Sequence, residues 1–210
     1  RAKSVQIRSF EELVQAVQKM ERFRIAVAAA NNFVSIAGVL RAREIGLAEP
    51  VLFGSRAQIE RVARENVLEL EGVEIVDQPD EIAAARAAVK ACHDGEAQML
   101  MKGHIHTDDF LRAVLDKEIG LRQEGILMSH VFILDPPDLD RLIFVTDGAM
   151  NIAPTLEQKA QIILNAVYLA RCFGIEEPKV GALAAVELVN PKMPATLDAA
   201  AFAAMDRRGQ

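Results

Sequence analysis

The stretch RIAVAAANNFVSIAGVLRAREIGLAEPVLFG, residues 24–54, decides the fold of this chain. Its first six residues are largely apolar and predict a short buried strand. Asn31 or Asn32 can then cap a helix that Gly46 ends. Residues 51–54, Val-Leu-Phe-Gly, form the next apolar run. A strand, a helix and a second strand in this order predict two parallel strands joined by a crossover helix.

The same alternation extends on both sides of this stretch. Upstream, Ser9 and Glu12 have the spacing of a capping box, which predicts an amphipathic helix. Downstream we expect a polar helix over 58–65, a strand over 73–76, an Ala-rich helix between Pro79 and Gly95, a strand over 98–103, and a helix that Thr107 caps and that runs to about Lys117. Alternation of this kind implies a mainly parallel sheet with helices on both faces.

The pattern changes after Gly120 and indicates a second domain. We expect a hairpin of strands 126–134 and 142–146 joined at Pro136-Pro137, a helix over 156–173, a strand over 178–186 and a helix that starts near Thr196. The sequence therefore predicts an N-terminal α/β domain over residues 1–121 and a second α/β domain over residues 122–210.

Composition and charge exclude several classes of function. The chain has 210 residues, of which 51% are hydrophobic, and its net charge of −6 disfavours nucleic-acid binding. No apolar run reaches the roughly 18 residues that span a membrane, and residues 1–10 lack the apolar centre of a signal peptide. Cys92 and Cys172 have no partner at metal-ligand spacing and suit buried thiols. These features predict a cytoplasmic protein.

The loop after the strand 98–103 is the first candidate site, because ligands of parallel sheets bind beyond the carboxyl ends of strands. Gly103 would let the backbone approach a ligand, and Thr107 stands where free N–H groups and the helix dipole attract anions. Lys102 and Arg112 could together clamp a phosphate. The alternative is an ordinary capped helix in which the first-turn carboxylates of Asp108 and Asp109 already interact with the positive end of the helix dipole. His104 and His106 predict no metal site without a third ligand.

The second candidate loop, residues 145–154, follows a buried strand and precedes a helix. Asp147 and Asn151 could contact a polar substrate, or they could only shape the turn. Ser129 and His130 interrupt the apolar strand before it. A core histidine bonded to backbone is the usual explanation, and no carboxylate can be named that would complete a Ser-His-acid triad.

In order along the chain, these motifs resemble the phosphate acetyl/butyryltransferase family, and its butyryl-type branch more than its acetyl-specific branch. The resemblance runs from about Arg24 to Gln210. It is carried by Met101-Lys102-Gly103, Thr107, Leu111-Arg112, Ser129-His130-Val131, the run Thr146 to Pro154, the helix Glu157 to Ala166, Pro178-Lys179-Val180, Val186-Glu187 and Asn190 to Ala200.

The resemblance implies a two-domain, three-layer α/β/α fold like that of isocitrate and isopropylmalate dehydrogenases, with the active site in the cleft. It implies a homodimeric enzyme that exchanges an acetyl, butyryl or other short acyl group between coenzyme A and phosphate, with coenzyme A as a substrate and no tightly bound cofactor. Arg112 matches the arginine that the family places on the phosphate. Thr107, Ser129, Asp147 and Asn151 match family positions near the cleft. Together with Lys102 and Gly103 of the first loop, they are the candidate substrate-binding residues.

The chain departs from the family pattern at its C-terminal side. The family continues with further strands, a Ser-Arg motif and an aspartate assigned as the base for the thiol, and this segment also completes the N-terminal sheet. We therefore expect the fold to be incomplete and residues 1–210 alone to be inactive.

Two other functions stay open at this point. One is a non-catalytic module that binds acyl-CoA and regulates a fused enzyme. The other is a dehydrogenase of related fold, although the sequence has no strand-linked Gly-x-Gly-x-x-Gly. An assay of thiol release would separate the first from an enzyme, and a titration with nicotinamide cofactor would identify the second.

Overall fold

The computed structural model describes residues 6–210, so residues 1–5 of the predicted first domain lie outside it. By its internal contacts the chain divides into two compact units. One unit consists of residues 13–124, and the other combines residues 125–210 with the described residues 6–12. The predicted division at residue 121 differs from this one by three residues, and it assigns residues 6–12 to the other unit. Hydrophobic periodicity could not predict that residues 6–12 belong with residues 125–210, because this assignment depends on contacts between residues far apart in sequence.

The first unit contains a four-stranded parallel sheet with the strand order β3-β2-β1-β4. Ala28 of β1 pairs with Phe53 of β2 on one side and with Lys102 of β4 on the other. The elements up to residue 124 are α1 Phe10–Val17, β1 Phe23–Ala28, α2 Phe33–Glu44, β2 Ala48–Gly54, α3 Arg56–Glu65, β3 Glu74–Asp77, α4 Glu81–His93, β4 Met99–Lys102 and α5 Thr107–Val114. The predicted parallel sheet is thus confirmed.

The strand order also determines which face each helix covers. Right-handed crossovers place α2 and α3, which lead outward from β1 to β3, on one face of the sheet. The return from β3 to β4 passes over the sheet in the opposite sense and places α4 on the other face. This arrangement gives the three-layer α/β/α architecture that the resemblance implies.

The core of this unit is aliphatic, as expected for a chain without Trp and with few aromatic residues. Val27 of β1, Leu52 of β2, Ile36 of α2 and Ile59 of α3 are each 0% exposed and belong to one cluster. Full burial of such a side chain contributes roughly 1.5–3 kcal/mol. The central strands and the helices on that face therefore form a rigid base for the loops at the carboxyl edge.

In the second unit, the predicted hairpin is present as β5 Val131–Leu134 and β6 Ile143–Thr146, which pair antiparallel. α6 Leu156–Cys172 follows, and a reciprocal capping box of Thr155 and Gln158 fixes its start. α7 spans Pro194–Arg207. None of the helices formed by residues 6–210 is long and apolar enough to cross a membrane.

The predicted strand over 178–186 is wrong. The segment is irregular, and Leu183 within it is 89% exposed. A strand is stable only when a neighbour completes its hydrogen-bond ladder, and this segment pairs with no other part of residues 6–210. Its apolar composition therefore indicated a strand for which the described residues provide no partner.

Two expectations for α5 are also corrected. His106, not Thr107, is the N-cap residue, and Thr107 is the first helical residue. The helix ends at Val114 instead of about Lys117, because Asp116 Oδ1 accepts the backbone N–H groups of Glu118 and Ile119 at 2.9 and 3.1 Å. A local side-chain bond of this kind replaces the helical ladder.

Candidate active site

The end of β4 lies at the carboxyl edge of the parallel sheet, beside the end of β1. The N–H groups of Gly103 and His104 donate to the carbonyl oxygens of Ala28 and Ala29, both at 2.8 Å. A Cβ on Gly103 would lie 2.3 Å from the Ala29 oxygen. Gly103 is therefore required for close approach to β1, whereas the sequence had suggested close approach to a ligand.

The N-terminus of α5 provides N–H groups without a side-chain cap. His106 makes no capping hydrogen bond, while Asp108 and Asp109 occupy the first turn. Free N–H groups attract an anion, and the two carboxylates oppose it. The Lys102 residue is exposed, and its side chain makes no hydrogen bond or ion pair within residues 6–210, so its ammonium group is available to a ligand.

Arg112 pairs with a carboxylate of its own helix. Its Nη1 lies 2.8 Å from Asp109 Oδ1, and the Arg112 side chain is 76% exposed. An exposed pair of this type contributes only about 0.3–0.5 kcal/mol. The guanidinium group can therefore exchange Asp109 for a phosphate at small cost.

The second loop is a closed hydrogen-bond network around Asp147. Asp147 Oδ1 accepts the N–H groups of Ala149 and Met150 at 3.0 and 2.9 Å. The Asn151 amide donates to Asp147 Oδ2 at 2.6 Å and to the Met128 carbonyl at 3.1 Å. The Thr146–Asp147 peptide bond is cis. Asp147 and Asn151 therefore shape this turn, as the simpler interpretation expected.

Burial and hydrogen bonding shift the pKa of the Asp147 carboxyl group in opposite directions. Burial raises the pKa of its carboxyl group, but hydrogen bonds from the Ala149, Met150 and His130 backbone and from the Asn151 amide outweigh burial and leave the pKa lowered. The carboxylate is accordingly charged at neutral pH.

Ser129 is held by a residue that sequence reasoning missed. Asn165 of α6 donates from Nδ2 to Ser129 Oγ and to the Leu127 carbonyl, both at 2.9 Å. Gln161, one turn earlier, accepts the Leu127 N–H at 3.1 Å. Two amides four residues apart, and therefore on one face of α6, were the available signal.

The structure supports neither a triad nor a metal site. Asp147 accepts the backbone N–H of His130, not its ring, and His130 Nδ1 is buried without a hydrogen-bond partner. Among residues 6–210, no group of three or more His, Cys, Asp or Glu side chains could hold a metal ion, His104 and His106 included.

The geometry thus places the candidates in two sets. Lys102, Gly103, Thr107 and Arg112 follow β4 in the first unit, and Ser129, Asp147 and Asn151 surround the end of β6 in the second. Residues 78–210, which include all seven, match the family described as Phosphate acetyl/butaryl transferase. This chain belongs to that family.

Relatives support this membership along most of the chain. The phosphate butyryltransferase of Clostridium acetobutylicum is 42% identical over 204 residues, which are 97% of this chain and 67% of that protein. The phosphate acetyltransferase of Thermotoga maritima is 42% identical over 200 residues, 95% of this chain and 67% of that protein. The chain therefore spans about two thirds of the length of these relatives.

A solved structure gives the same result for the fold. The branched-chain phosphotransacylase of Enterococcus faecalis V583 superposes with a TM-score of 0.74 and 31% sequence identity, covering 87% of this chain and 63% of that one. The interpretation as a phosphate acetyl/butyryl transferase relative is confirmed, and so is the fold class. These relatives carry the names of acyl-transferring enzymes, and nothing in the comparisons supports the regulatory or dehydrogenase alternative.

Proposed function

We propose that the protein containing this chain transfers a short acyl group between coenzyme A and inorganic phosphate. The observation that carries the proposal is the 42% identity, over 97% of the chain, to a phosphate butyryltransferase. The two loops are chemically compatible with this reaction, because one offers two exposed cationic side chains and uncapped N–H groups and the other offers fixed polar groups.

On the phosphate side, we assign Arg112 the catalytic contact and Lys102, Gly103 and Thr107 supporting ones. The guanidinium group is planar and can bind two phosphate oxygens at once. Because the Arg112 side chain is exposed, its pair with Asp109 is a weak competitor, and the unpaired Lys102 ammonium adds a second positive charge. Backbone N–H groups at the start of α5 complete the anion-binding character of this loop.

Transfer in the direction of acyl-CoA needs a thiolate. At neutral pH a thiol of ordinary pKa, about 8.5, is only a few per cent ionised, so a base increases the rate. The sulfur attacks the acyl-phosphate carbonyl carbon, the S–C bond forms, and the C–O bond to phosphate breaks with its electron pair on the departing phosphate. The reverse reaction uses the same groups. The family resemblance assigns the base to a segment beyond residue 210.

Around the end of β6, Ser129, Asp147 and Asn151 are proposed to bind substrate through a preorganised turn. The Asp147 network fixes the backbone from 146 to 151, which reduces the entropy lost on binding. The family resemblance also supports coenzyme A as a substrate instead of a bound cofactor, a homodimeric assembly and a cytoplasmic location, and we propose these as well.

The proposal is tested by measuring CoA release from butyryl-CoA and acetyl-CoA with the complete protein that contains this chain. We expect thiol release that requires inorganic phosphate and saturates with it. Thiol release at the same rate without phosphate would identify a hydrolase. Binding of acyl-CoA without any release would support the regulatory module, and binding of nicotinamide cofactor would support the dehydrogenase.

A further inference from the structure

His130 has a buried ring nitrogen that no protein group satisfies. Nδ1 is enclosed and has no hydrogen-bond partner among residues 6–210, whereas Nε2 is not enclosed in this way. The main chain of the residue is fully engaged, since its carbonyl accepts Thr146 Oγ1 at 2.7 Å and its N–H donates to Asp147. A core histidine usually bonds a backbone group through its ring, and the His130 ring makes no such bond through Nδ1. A purely structural role therefore does not explain why this ring is a histidine.

The imidazole lies beside β5. The preceding residue, Ser129, is bonded to Asn165 of α6. The His130 ring packs edge-on against Phe132, with centroids 4.1 Å apart. Phe132 is 50% exposed, and a Cβ on Gly148 would lie 3.3 Å from its ring. His130 and Phe132 thus border an open surface beside the 147–151 turn.

The enclosure of Nδ1 indicates which nitrogen carries the proton. A neutral imidazole has one N–H donor and one bare nitrogen. Orphaned buried N–H groups are rarer in proteins than under-satisfied buried acceptors, so a bare Nδ1 is the less costly state and the tautomer with its proton on Nε2 is favoured. The ring then presents an N–H donor next to the apolar edge of Phe132.

A carbonyl oxygen suits this donor better than a phosphate does. The Asp147 carboxylate accepts the backbone N–H of the same residue, and its lowered pKa keeps it negatively charged at neutral pH. A phosphate dianion would be repelled here, whereas the oxygen of a thioester or acyl phosphate carbonyl is uncharged in the ground state. The Phe132 ring offers a surface on which a short alkyl chain can pack.

We infer that His130 is a catalytic residue whose Nε2–H donates a hydrogen bond to the carbonyl oxygen of the transferred acyl group. Charge builds on this oxygen when the sulfur or phosphate attacks, and a positioned donor then stabilises it more than in the ground state. The inference rests on the proposed acyl transfer and adds to it a donor for the acyl group.

A binding experiment tests the hydrogen bond without turnover. Butyryl-CoA and S-butyl-CoA, a thioether without the carbonyl oxygen, are titrated into the complete protein in the absence of phosphate. We expect the thioester to bind about fivefold more tightly, the effect of one neutral hydrogen bond. In His130→Asn the two ligands should bind equally. Equal affinity in the unchanged protein would overturn the inference, and this result needs no variant to fold.

The kinetics of two substitutions of His130 show whether Nδ1 or Nε2 contributes to catalysis. A glutamine amide reaches about as far as Nε2, and an asparagine amide about as far as Nδ1. His130→Asn should lower kcat about hundredfold, as loss of one oxyanion donor does, and His130→Gln should recover it to within about tenfold of the unchanged protein. Equal losses in both variants would contradict a role for Nε2.

His93 provides the matched control, because its Nδ1 lies 3.0 Å from the Gly120 carbonyl and is thus already satisfied. His93→Gln should lower the melting temperature with kcat unchanged, because a glutamine amide does not match the position of Nδ1 and the bond to Gly120 is lost. If His130→Asn behaved in the same way, its role would be structural and the inference wrong. If the unchanged protein released no CoA but still bound the thioester more tightly than the thioether, the proposed reaction would be wrong. The hydrogen bond from His130 to the carbonyl oxygen would still be supported.

Discussion

Arg112 is the residue on which the phosphate assignment depends most directly. Because its side chain is 76% exposed and, within residues 6–210, is paired with Asp109 alone, the fold gains little from it. Arg112→Ala should therefore lower kcat/KM by about tenfold to hundredfold, the value of a charge-assisted contact of about 1.5–3 kcal/mol, with an almost unchanged melting temperature. The loss should appear with phosphate or acyl phosphate as the varied substrate.

Two further variants complete the Arg112 experiment. Arg112→Lys should recover only part of the activity, since an ammonium group cannot reproduce the planar fork. Arg41→Ala is the matched control, because Arg41 forms a similar exposed pair with Glu44 on α2. A lower melting temperature with normal phosphate kinetics in Arg112→Ala would show that this residue supports the fold.

Asp147 allows a prediction about pH at the scale of one side chain. Its pKa is lowered in the folded state, so its stabilising contribution is complete above the unfolded pKa of about 4 and is lost as pH falls through the lower folded pKa. Asp147→Asn should destabilise the protein at pH 7 by roughly 1–3 kcal/mol, because a bonded network is broken. Denaturant unfolding at several pH values measures this difference.

The same series contains its own control. At a pH below the folded pKa, Asp147 is protonated, and the variant and the unchanged protein should have similar stability. A stability difference that stays constant from pH 7 to below the folded pKa of Asp147 would show that the carboxylate charge does not contribute.

At the scale of elements, the end of α3 contains a local conflict. Val67 follows the C-cap residue Asn66 with φ of 55°, and the Leu68 N–H closes the helix by donating to the Ala63 carbonyl at 2.9 Å. A β-branched residue is strained in this left-handed conformation, and glycine is not. Val67 is also 87% exposed, so its side chain contributes little packing.

Val67→Gly should therefore stabilise the protein by about 0.5–1 kcal/mol, as the relief of left-handed strain exceeds the added entropy of the unfolded chain. Thermal unfolding measures the shift. Val34→Gly is the control, since Val34 is 73% exposed but lies in the first turn of α2, where glycine should destabilise. Destabilisation by both substitutions would indicate that the Val67 side chain makes a contact that outweighs its strain.

At the scale of the whole molecule, the chain accounts for about two thirds of the length of its relatives. We propose that a protein limited to residues 1–210 has negligible phosphotransacylase activity, because the family resemblance assigns the base for the thiol to a segment that, in the relatives, follows the part matched by these residues. Adding the remaining segment should restore turnover by at least the roughly hundredfold to ten-thousandfold that a general base contributes. Phosphate-dependent release of CoA, measured on both proteins, checks this. Equal turnover would require a base within residues 1–210.

Local patterns predicted most of the first unit because local and tertiary preferences agree there. Apolar runs such as 24–29 and 51–54 are continuous, since parallel strands are covered on both faces, and Asn32 caps α2 as expected. In the second unit the same reasoning failed at 178–186, where strand formation depends on a partner and not on composition. At the candidate site, turn residues such as Asp147 and Asn151 were recognisable, but their partners were not.

By itself, the sequence determined the family, the alternation of strands and helices, and which loops contain charged and amide groups, because these depend on residue order and local propensity. Only the tertiary structure decided that Gly103 serves the approach of β4 to β1, that Arg112 is exposed and paired with Asp109, and that the His130 ring has an unsatisfied buried nitrogen. Each of these features depends on distances between atoms that the fold brings together, and side-chain type and spacing do not encode those distances.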